Sequence, residues 1–372
     1  MIRKRDVQWW VLEAEKHPDS APMIVEELAK RLIELDEQNE QLRNELLRLR
    51  RGVPAATDSA RVSALQQKVE SLRDLLETRS SSEASVVLLS DRLGLAEMSL
   101  SRAQGLAHSG DPVLDSRAML ELRCLLVAQP HDELLLLTNK GRGLKHLVAD
   151  ISPLGEGRSW PAPAAPALEP DERVTAAVPF TDAPRFWTIA TRQGYVQRLV
   201  RVTADRGITQ GDPLLKSPFH SDEPVAILDG GRGDILLITR WGKSVRFSQR
   251  AIETQGSVAL DIEPGDEVAS ALALPEDIEV LVATASGCVS RRHTEPFSAR
   301  SRPGGSGKAF IQAQDVLAIC PHVPQSQLLF LTYGGVLTFV PVADIPLQDR
   351  TNRGTQVCDL RRDPAVSVTL VP

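Results

Sequence analysis

The chain has 372 residues, a net charge of −6, 42% hydrophobic residues and only 4% aromatic residues, which suggests two or three soluble domains. No run of 18 apolar residues occurs, and the basic start at Met1 to Arg5 leads into no apolar segment, so we expect no membrane span, no signal peptide and a cytoplasmic location. The four cysteines and seven histidines are scattered without metal-ligand spacing, so we expect core cysteines, no metal and no cofactor.

Residues 1–22 precede the first long amphipathic run. Trp9 and Trp10 are two of only five tryptophans in the chain. One interpretation is a short helix that caps the start of the following helix. The other is a docking segment for a partner protein, because exposed tryptophan often anchors an interface.

Residues 23–51 carry apolar residues at alternating steps of three and four, the heptad pattern of a coiled coil. Leucine fills the d positions and Asn39 takes one a position, which is typical of a parallel two-stranded coil. The alternative is an amphipathic helix packed on its own domain. We favour a parallel homodimer because the register is unbroken. The predicted dimerisation residues are Val25, Leu28, Leu32, Leu35, Asn39, Leu42, Leu46 and Leu49.

Residues 52–112 contain two further runs with a and d spacing, which we interpret as additional coiled-coil helices joined by linkers. One run extends from Val62 to Leu76 and the other from Val86 to Ala107. The second run is a weaker seam because small residues and Gly94 interrupt it. The helices either continue as one interrupted rod or fold back on each other.

An internal repeat occupies residues 113–372. A short apolar strand ending in Thr-x-x-Gly occurs five times, and the threonines are 45 to 53 residues apart. Glycine supplies the positive φ of a tight turn, and threonine suits the end of a strand. The five threonine–glycine pairs are Thr138 and Gly141, Thr191 and Gly194, Thr239 and Gly242, Thr284 and Gly287, and Thr332 and Gly335.

Each copy continues with an acidic residue about 30 positions later and then another apolar strand. The acids are Asp171, Asp222, Asp266, Asp315 and Asp363. Strand, turn, strand, loop and strand make a four-stranded antiparallel blade, which needs its neighbours to bury its faces. The expected fold is therefore multidomain, α plus all-β: an N-terminal helical coiled coil followed by a five-bladed, propeller-like β domain.

The repeat also resembles a known family. Its clearest copy runs from Ile235 to Phe247 and is followed by Pro264-Gly-Asp-Glu-Val268. This pattern resembles the C-terminal β-pinwheel domain of DNA gyrase A and of its topoisomerase IV counterpart. The resemblance implies a domain that binds and bends duplex DNA on its rim.

Basic residues recur at a fixed step in the repeat. The fourth residue after the motif glycine is a cation in four copies and Phe339 in the fifth, so equivalent positions on a ring would form an incomplete basic arc. The alternative is strand-end charges balanced by neighbouring acids. The predicted DNA-binding residues of this arc are Lys145, Arg198, Arg246 and Arg291, with Lys243 and Arg292 beside them.

A basic glycine-rich segment follows the fourth copy. It resembles the box by which gyrase pinwheels wrap DNA, although Pro303 and Ser306 depart from that pattern. Glycines let backbone amides approach phosphate while cations neutralise it. The alternative is a flexible loop between blades. Its predicted DNA-binding residues are Arg300, Arg302, Gly304, Gly305 and Lys308.

No catalytic constellation is present in the sequence. Tyr195 and Tyr333 are the only tyrosines, and both lie in or beside the blade hairpins, without the helical and acidic setting of a topoisomerase nucleophile. We therefore expect a non-enzymatic architectural protein that is dimerised by its coil, binds duplex DNA without sequence preference and associates with the nucleoid. The alternative is a protein-interaction scaffold whose pinwheel has lost DNA binding, which the negative net charge favours.

Overall fold

A computed structural model describes residues 84–161, 168–182, 184–231, 233–253, 255–297, 299, 302–349 and 351–372. The predicted N-terminal segment, the coiled coil and the linker up to residue 83 lie outside the described residues. The predicted site residues that lie outside the described ranges are Trp9, Trp10, Val25, Leu28, Leu32, Leu35, Asn39, Leu42, Leu46, Leu49 and Arg300.

The described residues form six small antiparallel sheets, here called blades 1 to 6 in chain order, each with an inner, a middle and an outer strand. The inner strands are β3 (Leu122–Ala128), β6 (Val174–Phe180), β9 (Pro224–Asp229), β13 (Val268–Leu274), β17 (Val316–Pro321) and β21 (Ala365–Val371). The middle strands are β1 (Ser85–Ser90), β4 (Glu133–Thr138), β7 (Phe186–Thr191), β10 (Asp234–Thr239), β14 (Glu279–Thr284) and β18 (Gln327–Thr332). The outer strands are β2 (Leu95–Ser99), β5 (Gly143–Leu147), β8 (Tyr195–Val200), β11 (Lys243–Ser248), β15 (Cys288–His293) and β19 (Leu337–Pro341).

The six blades close into a ring. Each inner strand contacts the inner strands of both neighbouring blades, and β21 of blade 6 contacts β3 of blade 1. The backbone N–H of Leu125 donates to the Ser367 hydroxyl across this closure at 3.1 Å. An apolar cluster also joins blades 1 and 6, including Val86, Leu88, Leu329 and Leu331. Because the middle strands are buried on both faces, their sequences are continuous apolar runs rather than alternating ones.

The segment after each outer strand reaches back and braces the preceding blade. Short strands do this in three places: β12 (Ser257–Val258) pairs with β8, β16 (Lys308–Ala309) with β11, and β20 (Thr355–Gln356) with β15. Helices contribute in two places, since α1 (Leu100–Ser109) packs on β19 and α3 (Arg201–Gln210) on β5. A short helix α2 (Ser116–Glu121) leads into β3, and 3-10 turns occur at Val148–Asp150, Gln249–Ala251 and Val342–Asp344. The braces cover the outer edges, where unpaired backbone would otherwise invite aggregation.

The predicted blade count of five is wrong, because residues 85–128 form an additional first blade. Residues Ser85–Ser90 and Leu95–Ser99, predicted as part of a coiled-coil helix, form a β-hairpin. The a and d spacing there is fortuitous, because β1 is buried on both faces and its four central residues, Val86 to Leu89, are all apolar. Only Leu100–Ser109 of that predicted run is helical, and it packs on blade 6.

The turn of blade 1 lacks the repeat motif. In blades 2 to 6 the motif glycine has φ between 75° and 85°, whereas blade 1 places Leu93 there with φ of 67°. A leucine in the left-handed region is uncommon, but Leu93 is 2% exposed and packs with the blade 1 and 2 core. The fold therefore tolerates a strained residue where the sequence pattern expects glycine.

Candidate nucleic-acid interface

The repeated threonine closes its own turn. In blades 2 to 6 its hydroxyl accepts a hydrogen bond from the backbone N–H four residues later, at 3.0 to 3.2 Å. Ser90 accepts the equivalent bond from Gly94 in blade 1 at 2.7 Å. All five threonines are at most 1% exposed. Each hydroxyl therefore satisfies a backbone N–H that is buried inside the turn. The motif is structural.

The repeated acid caps the same turn from the other side. The carboxylates of Asp222, Asp266, Asp315 and Asp363 each accept the backbone N–H of the third motif residue, at 2.8 to 3.0 Å. In blade 2, Asp171 instead pairs with the Lys140 ammonium at 2.7 Å, and this bond lowers the pKa of the carboxyl. These acids stabilise the turns.

Cations on the face formed by these turns are paired across blades. Arg192 lies 3.4 Å from Glu223 and 3.5 Å from Glu267, and Arg173 and Arg240 extend the chain of ion pairs at its two ends. Three arginines alternate with two glutamates over three consecutive blades, so the chain of ion pairs offers an anionic ligand a surplus of only one positive charge.

The predicted basic arc does occupy one repeated position. Each of its residues lies at the same register in its outer strand. The Cα partners are Lys145 with Leu135, Arg198 with Thr188, Arg246 with Leu236, Arg291 with Leu281 and Phe339 with Leu329. The five residues therefore occupy equivalent positions on the ring, and hydrogen-bond acceptors surround the four cations among them.

Arg246 is almost fully enclosed. Its side chain is 9% exposed, and its guanidinium donates to Asp234 at 2.8 Å, to Asp277 at 2.5 Å and to the Thr294 carbonyl at 3.1 Å. The hydrogen bond from Arg246 lowers the pKa of the Asp277 carboxyl. Little of this guanidinium remains available to a phosphate.

The other three cations are engaged in the same way. The Arg291 guanidinium pairs with Glu279 at 2.7 Å, and the Lys145 ammonium lies 2.8 Å from Asp205. Arg198 donates to the Gly230 carbonyl at 2.9 Å and lies 3.8 Å above the Phe186 ring. Burial lowers the pKa of Arg198, as expected where a cation loses water.

The partner residue changes together with the cation. Lys145, Arg246 and Arg291 each contact an acid at the first position of the middle strand, and Arg198 contacts an aromatic ring there. Where the cation is replaced by Phe339, that first position is the uncharged Gln327. The first residues of the five middle strands are Glu133, Phe186, Asp234, Glu279 and Gln327. This correlation between the two positions favours a structural role for the cation, which links the outer strand to the middle strand of its own blade.

Two further predicted cations also have internal partners. The Lys243 ammonium bonds the Glu263 carboxylate. Arg292 is 6% exposed and donates to the Phe310 carbonyl at 2.8 Å. The structure thus places Lys243 near the surface in an ion pair and Arg292 inside the rim of the ring.

The glycine-rich segment lies on the outer rim, against the braces of blades 3 and 4. Gly304, Gly305 and Gly307 have φ of 122°, 89° and 74°, conformations that favour glycine. The Gly305 carbonyl accepts the N–H of Asp261 at 3.0 Å, and the segment ends in β16 on the edge of blade 4. Its backbone is thereby held against the ring, while Arg302 and Lys308 are exposed.

A cleft opens beside this segment. Its volume is about 850 Å³, and Lys216 and Arg302 line it together with Tyr195, Val258 and Glu253. Sequence reasoning missed Lys216 because it lies in an irregular brace that has no repeat register. Arg353, exposed two residues before β20, was missed for the same reason. We call Lys216, Arg302, Lys308 and Arg353 the basic rim, and none of the four pairs with a carboxylate in the part of the chain that the structure describes.

Three further features of the described residues bear on function: metal ligands, cysteines and apolar helices. The described residues hold no group of three or more His, Cys, Asp or Glu side chains that could bind a metal. The four cysteines are free thiols, and burial raises the pKa of Cys124 and Cys320 to about 12. No helix in the described ranges is long and apolar enough to cross a membrane.

Comparison with known proteins confirms the predicted resemblance. The chain is 27% identical to the DNA gyrase A protein of Escherichia coli K12 over 243 residues, covering 62% of this chain and 28% of that protein. It is 29% identical over 259 residues to the Staphylococcus aureus MRSA252 protein of the same name, covering 65% and 29%. The chain thus spans under a third of the length of these relatives. No family model matches the chain.

Solved structures share the fold. The C-terminal domain of DNA gyrase A superimposes with a TM-score of 0.62 at 17% identity, over 78% of this chain and all of that domain. The C-terminal domain of DNA topoisomerase IV superimposes with a TM-score of 0.51 at 21% identity, over 78% and 94%. The described blades therefore have the fold of the gyrase A C-terminal β-pinwheel.

Proposed function

We propose that the six-bladed domain is a non-enzymatic module that binds duplex DNA through the basic rim. One observation carries this proposal: Lys216, Arg302, Lys308 and Arg353 are exposed and free of carboxylate partners among the described residues, whereas the cations of the repeated position are paired internally. Phosphate contact requires available cations along a track rather than a basic average.

The glycine-rich segment supports the same proposal. Gly304 and Gly305 bring backbone close to the outer surface between Arg302 and Lys308, which suits the approach of a phosphate. The similarity to proteins named for DNA gyrase agrees with this choice of ligand. Contacts would be to the backbone of the duplex, so binding is expected to tolerate different sequences.

The coiled coil of residues 23–51 would give the protein two such modules. The heptad register of the sequence supports a parallel homodimer, and two rims on one dimer would raise the effective affinity and allow it to bridge DNA segments. We propose a nucleoid-associated architectural role on this basis. Trp9 and Trp10 remain a proposed contact for a partner protein.

A titration of duplex DNA tests the proposal. We expect full-length protein to bind a 30-base-pair duplex in fluorescence anisotropy, with affinity that falls steeply between 50 and 200 mM salt. Changing all four rim cations to glutamine should weaken binding about tenfold or more and lower the log–log salt slope by about 3 to 4, because each phosphate contact contributes about 0.9.

Matched charge loss elsewhere provides the control. Arg117→Gln with Arg362→Gln removes two exposed cations that are not among the four of the basic rim and should change the salt slope little, whereas Arg302→Gln with Lys308→Gln should lower it by about 2. Equal effects of the two double variants would reject the rim as the binding surface.

A scaffold function is the second candidate. The internal partners of Lys145, Arg198, Arg246 and Arg291 favour it, because a ring whose repeated cations are neutralised offers less charge to DNA. Absence of salt-sensitive DNA binding by the full chain would select this alternative.

A further inference from the structure

The glycine-rich segment is closed at its base by two stacked aromatic rings. Phe297 lies just before the segment and Phe310 just after it, and the two residues are 7% and 0% exposed. Their ring centroids lie 4.5 Å apart with an interplanar angle of 24°. Two chain positions thirteen residues apart are thereby held together, with the segment between them.

Arg292 lies over this stack. It projects from β15, and its guanidinium carbon is 4.7 Å from the Phe297 centroid and 5.1 Å from the Phe310 centroid. One guanidinium nitrogen donates to the Phe310 carbonyl at 2.8 Å and to the Thr351 hydroxyl at 3.1 Å. The guanidinium thus joins the ring stack to a second rim segment and lies against both aromatic rings.

The second segment is tied to the first at two more points. The Thr351 hydroxyl donates to the Ala309 carbonyl at 3.3 Å, and the Gln312 N–H donates to the Asn352 carbonyl at 2.7 Å. Arg353 follows immediately. The contacts around Arg292 therefore set the position of two basic segments relative to each other.

A buried cation is costly unless its surroundings compensate for lost water. An apolar side chain could fill this space without that cost, but it could not bridge a carbonyl on one segment and a hydroxyl on the next. The retained charge of Arg292 is explained by this bridging, because its 6% exposure leaves almost none of the residue available to a ligand.

We propose that Arg292 is a positioning residue, which holds the glycine-rich segment and the segment of Thr351 in register so that Arg302, Lys308 and Arg353 form one phosphate-binding track. This inference rests on the proposed DNA-binding function. Glycines at three positive-φ positions make the segment entropically expensive to order, so fixing it before binding improves affinity.

A double-mutant cycle tests the inference. Arg292→Met in full-length protein should weaken duplex binding about fivefold, within the coupling range of residues that act together. In the background of Arg302→Gln, Lys308→Gln and Arg353→Gln, the same change should have no further effect, because the cations it positions are gone. Additive effects in the cycle would instead indicate direct contact or an unrelated loss, and would overturn the inference.

Amide hydrogen exchange gives a readout that needs no DNA. Residues 302–309 should exchange faster in Arg292→Met than in wild type. The matched control is Arg291→Met, the adjacent residue of the same strand, whose partners are Glu279 and the Ile345 carbonyl. We expect this control to lose stability without faster exchange in residues 302–309. Unchanged exchange in Arg292→Met would refute the positioning role.

Two outcomes separate this inference from the function on which it rests. If wild type does not bind DNA but Arg292→Met exchanges faster, the proposed function fails while the positioning of the segment stands. If wild type binds and Arg292→Met alters neither affinity nor exchange, only the inference fails. Should Arg292→Met not fold, Thr351→Val removes the bridging hydroxyl with less disturbance and enters the same cycle, with the same results expected.

Discussion

Replacing Arg246 by glutamine separates a structural role of the repeated cation from a role in DNA contact. Arg246 keeps three acceptors in place: the carboxylates of Asp234 and Asp277 and the Thr294 carbonyl. Glutamine is shorter and neutral, so these acceptors lose their donor. We expect a loss of stability with DNA affinity nearly unchanged.

The magnitude follows from burial. The Arg246 side chain is 9% exposed and Asp234 is 18% exposed, so the bonds to Asp234 and the Thr294 carbonyl should each contribute about 1 kcal/mol net. Asp277 is 56% exposed, so solvent screening makes its contribution small. The free energy of unfolding should therefore fall by about 2 kcal/mol, which lowers Tm by roughly 3 to 4 °C in a domain of this size.

Thermal unfolding followed by circular dichroism and anisotropy titration with duplex DNA are the two measurements. Arg250→Gln, which changes an exposed arginine of the same blade, is the control and should leave Tm within about 1 °C. The structural assignment is refuted if Arg246→Gln weakens DNA binding severalfold while its Tm stays at the wild-type value.

Three further predictions concern the turns, the acids and the thiols. Thr239→Val should lower the free energy of unfolding by about 1 to 2 kcal/mol, because the Lys243 N–H loses its acceptor, whereas Thr239→Ser should cost less; urea titration distinguishes them. The pKa of Asp277 is lowered in the folded state, so its pairing stabilises the fold above the unfolded pKa of about 3.9 and is lost as pH falls through the lower folded value. Tm measured from pH 2 to 7 should therefore fall at the acid end as Asp277 becomes protonated, and this fall in Tm should be smaller in Arg246→Gln. Cys124 is half-buried and its pKa is raised by burial to about 12, so it should react with a thiol reagent at pH 8 far more slowly in the native than in the denatured protein; equal labelling rates would contradict this.

The repeat was readable from sequence because its turns depend on local chemistry. Thr-x-x-Gly encodes a hydroxyl acceptor and a positive φ within four residues, so each copy is visible without knowledge of its neighbours. Blade 1 escaped detection because Ser90 and Leu93 occupy the motif positions. Tertiary packing of a buried leucine outweighs the backbone preference there.

Candidate cations were visible in the sequence, but their availability was not. The spacing that aligned Arg246 with its equivalents is local, whereas Asp277 and the Thr294 carbonyl reach it from residues 31 and 48 positions away. Conversely, Lys216 and Arg302 meet at one cleft from different repeats. Ion pairing and exposure depend on which distant segments arrive beside a side chain.

The sequence by itself determined the antiparallel blade, its Thr-x-x-Gly turn and the position in each outer strand that lies four residues after the motif glycine. Hydrogen bonds and φ preferences within a hairpin involve residues that are close in sequence, so a local pattern is enough to reveal them. Only the tertiary structure decided that there are six blades among the described residues, that the ring closes between β3 and β21, and that each repeat braces the preceding blade. It also moved the candidate DNA surface from the repeated cations to the basic rim. Packing between blades and pairing between distant charges arise from contacts that the order of residues along the chain does not reveal.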